Sequence, residues 1–111
     1  MKIQTMKERN CLVVTVVGRM DATTAPNYEK KLIELIAEGE KNFVIDFNGL
    51  EYISSSGLRS IHVTAKAIKA AGGKIALANI RNVIKEIFDI SGFGTIFQIN
   101  DSVESALSKI G

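Results

Sequence analysis

Ser54, Ser55 and Ser56 stand in a row immediately before Gly57 and Leu58, and this run holds the most suggestive chemistry in the chain. Serines that end a strand and begin a helix can do two different things. One is capping, in which a serine oxygen accepts a hydrogen bond from a backbone N–H that the first helical turn leaves without a partner. The other is modification. A phosphate on such a serine meets the same free N–H groups and the positive end of the helix dipole, so the fold can tolerate it. It would nevertheless place a charge of about −1.5 to −2 in a small neutral patch, and any protein docked there would have to desolvate it. The residues alone leave both readings open.

Other chemistries lack their parts. Acid–base and nucleophilic catalysis usually require a histidine or paired carboxylates held beside a nucleophile, and the only histidine is His62. It falls within a helical stretch and is expected to be a partly exposed structural residue. Cys11 is the only cysteine; it heads an apolar stretch, where a buried thiol packs as a small hydrophobe. One cysteine and one histidine cannot supply a metal site, so neither metal nor cofactor is expected. The phosphate-binding pattern GxxxxGK is absent, and Gly92-Phe93-Gly94 does not continue as GxGxxG, so it is expected to end a helix. A small nucleotide hydrolase built on Asp21 or Asp46 would have no base, metal set or phosphate loop to accompany them. Asn100-Asp101-Ser102 matches a glycosylation sequon, but reads better as the cap of a last helix. The chain is therefore expected to bind rather than to catalyse.

Composition narrows what it could bind. With 14 basic and 12 acidic residues spread along 111 positions, the formal charge of +2 gives no dense positive field, which disfavours nucleic acid. No apolar run approaches the roughly 18 residues that span a bilayer, and Met1-Lys2-Ile3-Gln4 lacks a signal-peptide layout. No basic amphipathic helix offers direct membrane binding. A cytoplasmic protein, monomeric when free, is expected.

The elements that would position the serines follow from periodicity. Ile3 to Lys7 is expected to form a polar strand, joined through Arg9-Asn10 to the β-branched run Cys11 to Val17, which should end at Gly18. From Thr24, the residues Tyr28, Leu32, Leu35 and Ile36 recur at helical spacing, with Pro26 in the first turn and Gly39 as the stop. Phe43 to Phe47 is a buried strand expected to end at Asn48-Gly49. Leu58, Ile61, Ala65 and Ile68 mark one face of the next helix, which closes at Gly72-Gly73. Ile75 to Ala78 is another strand, and Val83, Ile84, Ile87 and Phe88 form a third helix capped by Gly92. A short strand is expected over Thr95 to Ile99. Asp101 and Glu104 have capping-box spacing for a last helix striped by Val103, Ala106, Leu107 and Ile110. A hairpin followed by alternating strands and helices predicts an α/β fold: a mixed, mostly parallel β-sheet of about five strands with about four helices. Loops after parallel strands leave at the carboxyl edge, so Asp21 with Thr23, the serine run, and Asn79 with Arg81 should gather on one rim.

Several blocks then look familiar: Gly18-Arg19-Met20-Asp21-Ala22-Thr23, Val44-Ile45-Asp46-Phe47, and Leu50-Glu51-Tyr52-Ile53-Ser54-Ser55-Ser56-Gly57-Leu58-Arg59. They resemble the STAS domains of bacterial anti-sigma factor antagonists, and the resemblance runs over nearly the whole chain, read as one STAS domain over 1–111. It implies that Ser55, two positions before the glycine, is the phosphoacceptor. Many relatives carry aspartate where this chain has Ser54, so Ser54 and Ser56 remain alternatives. The resemblance further implies that Asp21, Thr23, Ser54, Ser56, Gly57, Leu58 and Arg59 contact the partner. In that family the unphosphorylated domain binds an anti-sigma factor that is itself a serine kinase, so releasing the sigma factor. Phosphorylation breaks the complex, and a PP2C-type phosphatase restores it. The same fold also serves partner switching or scaffolding in circuits without a sigma factor, and accessory subunits of membrane transport complexes.

Overall fold

The computed structural model describes residues 1–110. Strands β1 (Lys2–Glu8) and β2 (Cys11–Met20) pair antiparallel. Arg9 and Asn10 between them both take positive φ, 51° and 69°, the backbone that a two-residue hairpin turn demands. The chain continues through α1 (Ala25–Ala37), β3 (Asn42–Ile53), α2 (Ser55–Ala70), β4 (Lys74–Ala78), α3 (Asn82–Ser91), α4 (Phe93–Ile96), β5 (Gln98–Asn100) and α5 (Val103–Ile110). The sheet order is β1-β2-β3-β4-β5, and every pair after the hairpin is parallel. This is the α/β fold that the periodicity predicts, with a four-residue fifth helix added.

Each crossover steps one strand in the same direction, so a constant handedness puts its helix on the same face. The core agrees: Tyr28 and Leu32 of α1, Ile61 and Ile68 of α2, and Ile84 and Phe88 of α3 join Val14, Ile45 and Leu77 of the sheet in one cluster. A smaller cluster fills the other face, where Ala106, Leu107 and Ile110 of α5 meet Cys11, Val13, Val44, Ala76 and Ala78. The alanines on β4 let that short helix lie close to the strands. Cys11 is buried there, and its burial raises the thiol pKa, against a smaller opposing pull from Lys7. Between α1 and α2, the buried Tyr28 hydroxyl lies 3.1 Å from Thr64 Oγ1. Thr64 spends its own proton on the carbonyls of Ser60 and Ile61, so Tyr28 is the donor, and burial raises its pKa far above the ordinary phenol value.

Four boundaries differ from the sequence expectation. Strand β2 does not end at Gly18 but runs to Met20, with a register shift between Gly18 and Arg19. Strand β3 does not turn at Asn48-Gly49 but continues to Ile53, because the extended β2 supplies partners for its backbone as far as Met20. Gly49 serves proximity there: a Cβ would lie 2.9 Å from Val17 Cγ2. The strand expected over Thr95 to Ile99 is shorter and later. Phe93 and Phe97 are four residues apart and both buried, a helical spacing, so the chain makes α4 first. Their rings join Phe88 and His62 in an aromatic group, with Phe88–Phe93 and Phe93–Phe97 centroids each 5.1 Å apart and His62–Phe97 6.3 Å apart. His62 is partly exposed and packs against this group. Finally, Asp101 and Glu104 do not form a capping box. The last helix begins at Val103, so Ser102 does the capping: its Oγ accepts from Ser105 N at 3.0 Å, while Glu104 pairs with Arg9 at 2.6 Å.

Candidate functional site

The carboxyl edge of the sheet brings the loop after β2 against the start of α2. Ser54 closes the distance, donating its backbone N–H to the Met20 carbonyl at 2.9 Å. Gly57, in the first turn of α2, is buried against the same carbonyl: a Cβ there would sit 2.8 Å from Met20 O and 2.7 Å from Ile53 Cγ1. Only a residue without a side chain lets the helix start this close to β2.

The three serines occupy three different environments. Ser54 is the N-cap, extended at φ −95° and ψ 176°, and its Oγ accepts from Gly57 N at 3.3 Å. Ser55 is the first helical residue and is exposed, whereas Ser56 is half-buried. Neither the Ser55 nor the Ser56 hydroxyl has a hydrogen-bond partner among the described residues. Their backbone N–H groups belong to the turn whose donors no helix can satisfy internally. No acidic residue lies in the first turn of α2, so its positive dipole end is not offset by a carboxylate on the helix itself. Leu58 is half-buried and packs against the core, and Arg59 is exposed.

Asp21 shapes the neighbouring loop. Its Oδ1 accepts from Thr23 N at 3.0 Å and Thr24 N at 3.1 Å, and Thr24 Oγ1 in turn donates to the Arg19 carbonyl at 2.8 Å. The Thr24 and Thr23 backbone amides hold the Asp21 carboxyl below the usual carboxylate range, outweighing an opposing desolvation effect, with the Thr24 hydroxyl and the Arg19 guanidinium adding smaller help. Thr23 is exposed beside it. Arg19 lies 4.3 Å above the Tyr52 ring, with its Nε 4.0 Å from Asp21 Oδ2. This Arg19–Tyr52 pair follows from the cross-strand register, and a single sequence carries no signal for it.

Asn79 and Arg81 lie on the same edge but in a separate cluster at the end of β4. Asn79 Nδ2 donates to Asp46 Oδ1 at 2.9 Å, and the Arg81 guanidinium reaches Asn48 Oδ1 at 2.9 Å and Asn79 Oδ1 at 2.8 Å. No hydrogen bond joins this cluster to the serines among the described residues. Among the same residues, no group of His, Cys, Asp and Glu could hold a metal ion, and no helix is long and apolar enough to cross a membrane.

The STAS domain profile matches residues 2–106, and the chain therefore belongs to the STAS domain family. Over 106 residues it is 33% identical to BtrV of Bordetella bronchiseptica, a candidate anti-sigma factor antagonist, covering 96% of this chain and 91% of that one. Over 105 residues it is 28% identical to the anti-sigma-B factor antagonist of Bacillus subtilis, covering 95% of each. Its branch of the family is thus that of the anti-sigma factor antagonists. In fold, it matches the phosphorylated form of the Bacillus cell fate determinant SpoIIAA with a TM-score of 0.75 at 21% identity, across 99% of this chain and 100% of that one.

Proposed function

We propose that this chain is a partner switch whose state is written on Ser55. Unmodified, it binds an anti-sigma factor that is also a serine kinase, and so frees the sigma factor. Phosphorylation of Ser55 abolishes that binding, and a PP2C-type phosphatase restores it. The protein acts in the cytoplasm as one domain, as substrate and ligand in turn and not as an enzyme. Asp21, Thr23, Ser54, Ser56, Gly57, Leu58 and Arg59 form the docking patch around the switch.

The observation that carries this reading is the division of labour within the serine run. Ser54 is occupied as the cap, which leaves the exposed Ser55 hydroxyl free of any structural duty. A phosphate there would meet unpaired N–H donors and a positive helix end, so the fold should survive modification while the surface changes sign. Each 1.4 kcal/mol is about a tenfold change in affinity, and leaving one buried charge unpaired costs about 3–5 kcal/mol. The existence of a phosphorylated SpoIIAA supports the same chemistry on the same fold.

The site assignment is tested by incubating the protein with its kinase and ATP and mapping the product by mass spectrometry. Phosphate should appear on Ser55, survive in Ser54→Ala and Ser56→Ala, and vanish in Ser55→Ala. Undiminished labelling of Ser55→Ala would overturn the assignment.

A further inference from the structure

A cavity of about 350 Å³ opens at the amino edge of the sheet, at the opposite end of α2 from the serines. Strand β5 begins too late to close it. The β4–β5 ladder starts at the Ala76–Gln98 pair, so Lys74 and Ile75 have a strand neighbour only in β3. Lys74 donates its N–H to the Lys41 carbonyl on the β3 side at 2.9 Å. Successive N–H groups of a strand point to opposite sides, so that of Ile75 faces the missing stretch of β5, and it has no hydrogen-bond partner among the described residues. Ile75 is buried, and a buried donor left unpaired costs stability. The lining around this gap is of two kinds. Ile75, Phe97 and Ile110, all buried, and the exposed Ile96 form an apolar wall; Lys69, Lys74 and Lys109 surround it, and the lining holds no acidic side chain. None of the three ammonium groups pairs with a carboxylate among the described residues. Lys69 and Lys109 lie in the last turns of α2 and α5, where a cation offsets the negative end of the helix dipole. That role accounts for neither Lys74 nor the unpaired N–H.

We propose that this cavity is a binding site for a small amphiphilic carboxylate. The carboxylate accepts from the Ile75 N–H and lies in the joint field of Lys69, Lys74 and Lys109, while its apolar body rests on Ile96, Phe97 and Ile110. The volume sits at the lower end of small-molecule pockets, roughly 300–1,000 Å³, and suits one ring or a short acyl chain. The 16 residues of α2, at about 1.5 Å each, separate the site from Ser55, and the inference does not depend on the reading of that serine.

The full chain would be titrated with 4-phenylbutyrate at pH 7 and followed by NMR, with 4-phenylbutylamine as the charge-inverted control and inorganic phosphate as an anion without an apolar body. Phenylbutyrate should move the Ile75 amide proton downfield and shift the Ile75, Ile96 and Ile110 methyls, all saturably. The amine should leave them unmoved, and phosphate should bind more weakly, because it gains nothing from the apolar wall. Combining Lys69→Gln, Lys74→Gln and Lys109→Gln should keep the circular dichroism spectrum and weaken phenylbutyrate binding about tenfold or more, each exposed charge contributing up to about fivefold. Should that variant fail to fold, Lys74→Gln alone provides the second test and should weaken binding by up to about fivefold. Ser55→Ala should bind phenylbutyrate as the unaltered chain does. An equal response to the amine, phosphate binding as tight as that of phenylbutyrate, shifts that do not saturate, an unmoved Ile75 amide, or undiminished binding by the lysine variants would overturn the proposal; the lysines would then serve only the helix ends.

Discussion

At the β2–β3 end of the carboxyl edge, the polar groups of the cap and the Asp21 loop answer one another, and a glycine brings the helix within contact of a strand carbonyl. Toward β4–β5, Asn79 and Arg81 are tied to Asp46 and Asn48, yet the buried Asn100 amide oxygen goes unanswered, and an aromatic group packs α3 and α4 against α2. The first end presents an exposed, unpaired hydroxyl on a hydrogen-bonded seat. The second leaves room. The contrast is between a polar, hydrogen-bonded seat at one end of the edge and looser, largely apolar packing toward the other.

The comparison breaks most visibly at Phe88, which touches both Phe47 and Phe93. Truncation to alanine should cost about 3–5 kcal/mol in urea unfolding, because it removes the buried ring that joins α3 to α4 and to the sheet. At the other end, Gly57→Ala should cost about 1–3 kcal/mol by overpacking, since the Met20 carbonyl cannot retreat as a flexible side chain would. A loss well under 1 kcal/mol would mean that the helix start is looser than its contacts suggest.

The serines sharpen the contrast within a single turn. Ser54→Ala should lose about 1 kcal/mol with the cap, and Ser55→Ala no more than about 0.5 kcal/mol. Equal losses would erase the division of labour between them. The smallest effect concerns Asp21. Its folded pKa is depressed, so the ionised carboxylate favours the ordered loop. That contribution is fully present above the unfolded value of about 3.9 and is lost as pH falls through the lower folded value. The Thr23 and Thr24 amide shifts should therefore stay flat from pH 8 to 5 and titrate with a midpoint below that of a free aspartate.

The two ends also differ in how plainly the sequence announces them. At the serine end, local rules agree with the tertiary result: the cap, the strand–helix alternation and the clustering of Asp21 with the serine run all follow from residue order. What residue order conceals is the length of β2 and β3, because Gly18 and Asn48-Gly49 carry turn chemistry yet sit inside paired strands. Tertiary pairing overrode them. At the other end, Thr95 to Ile99 is β-compatible by composition, and only the burial of Phe93 and Phe97 against Phe88 and His62 winds it into α4. Asn100 gives no signal at all, since its isolation depends on neighbours that reach it only after folding.

The central claim is most directly tested by installing phosphoserine at position 55 and measuring, by calorimetry, the affinity of both forms for the anti-sigma factor kinase. The modified form should bind at least about 100-fold more weakly, with its circular dichroism spectrum unchanged. Equal affinity of the two forms would contradict the account.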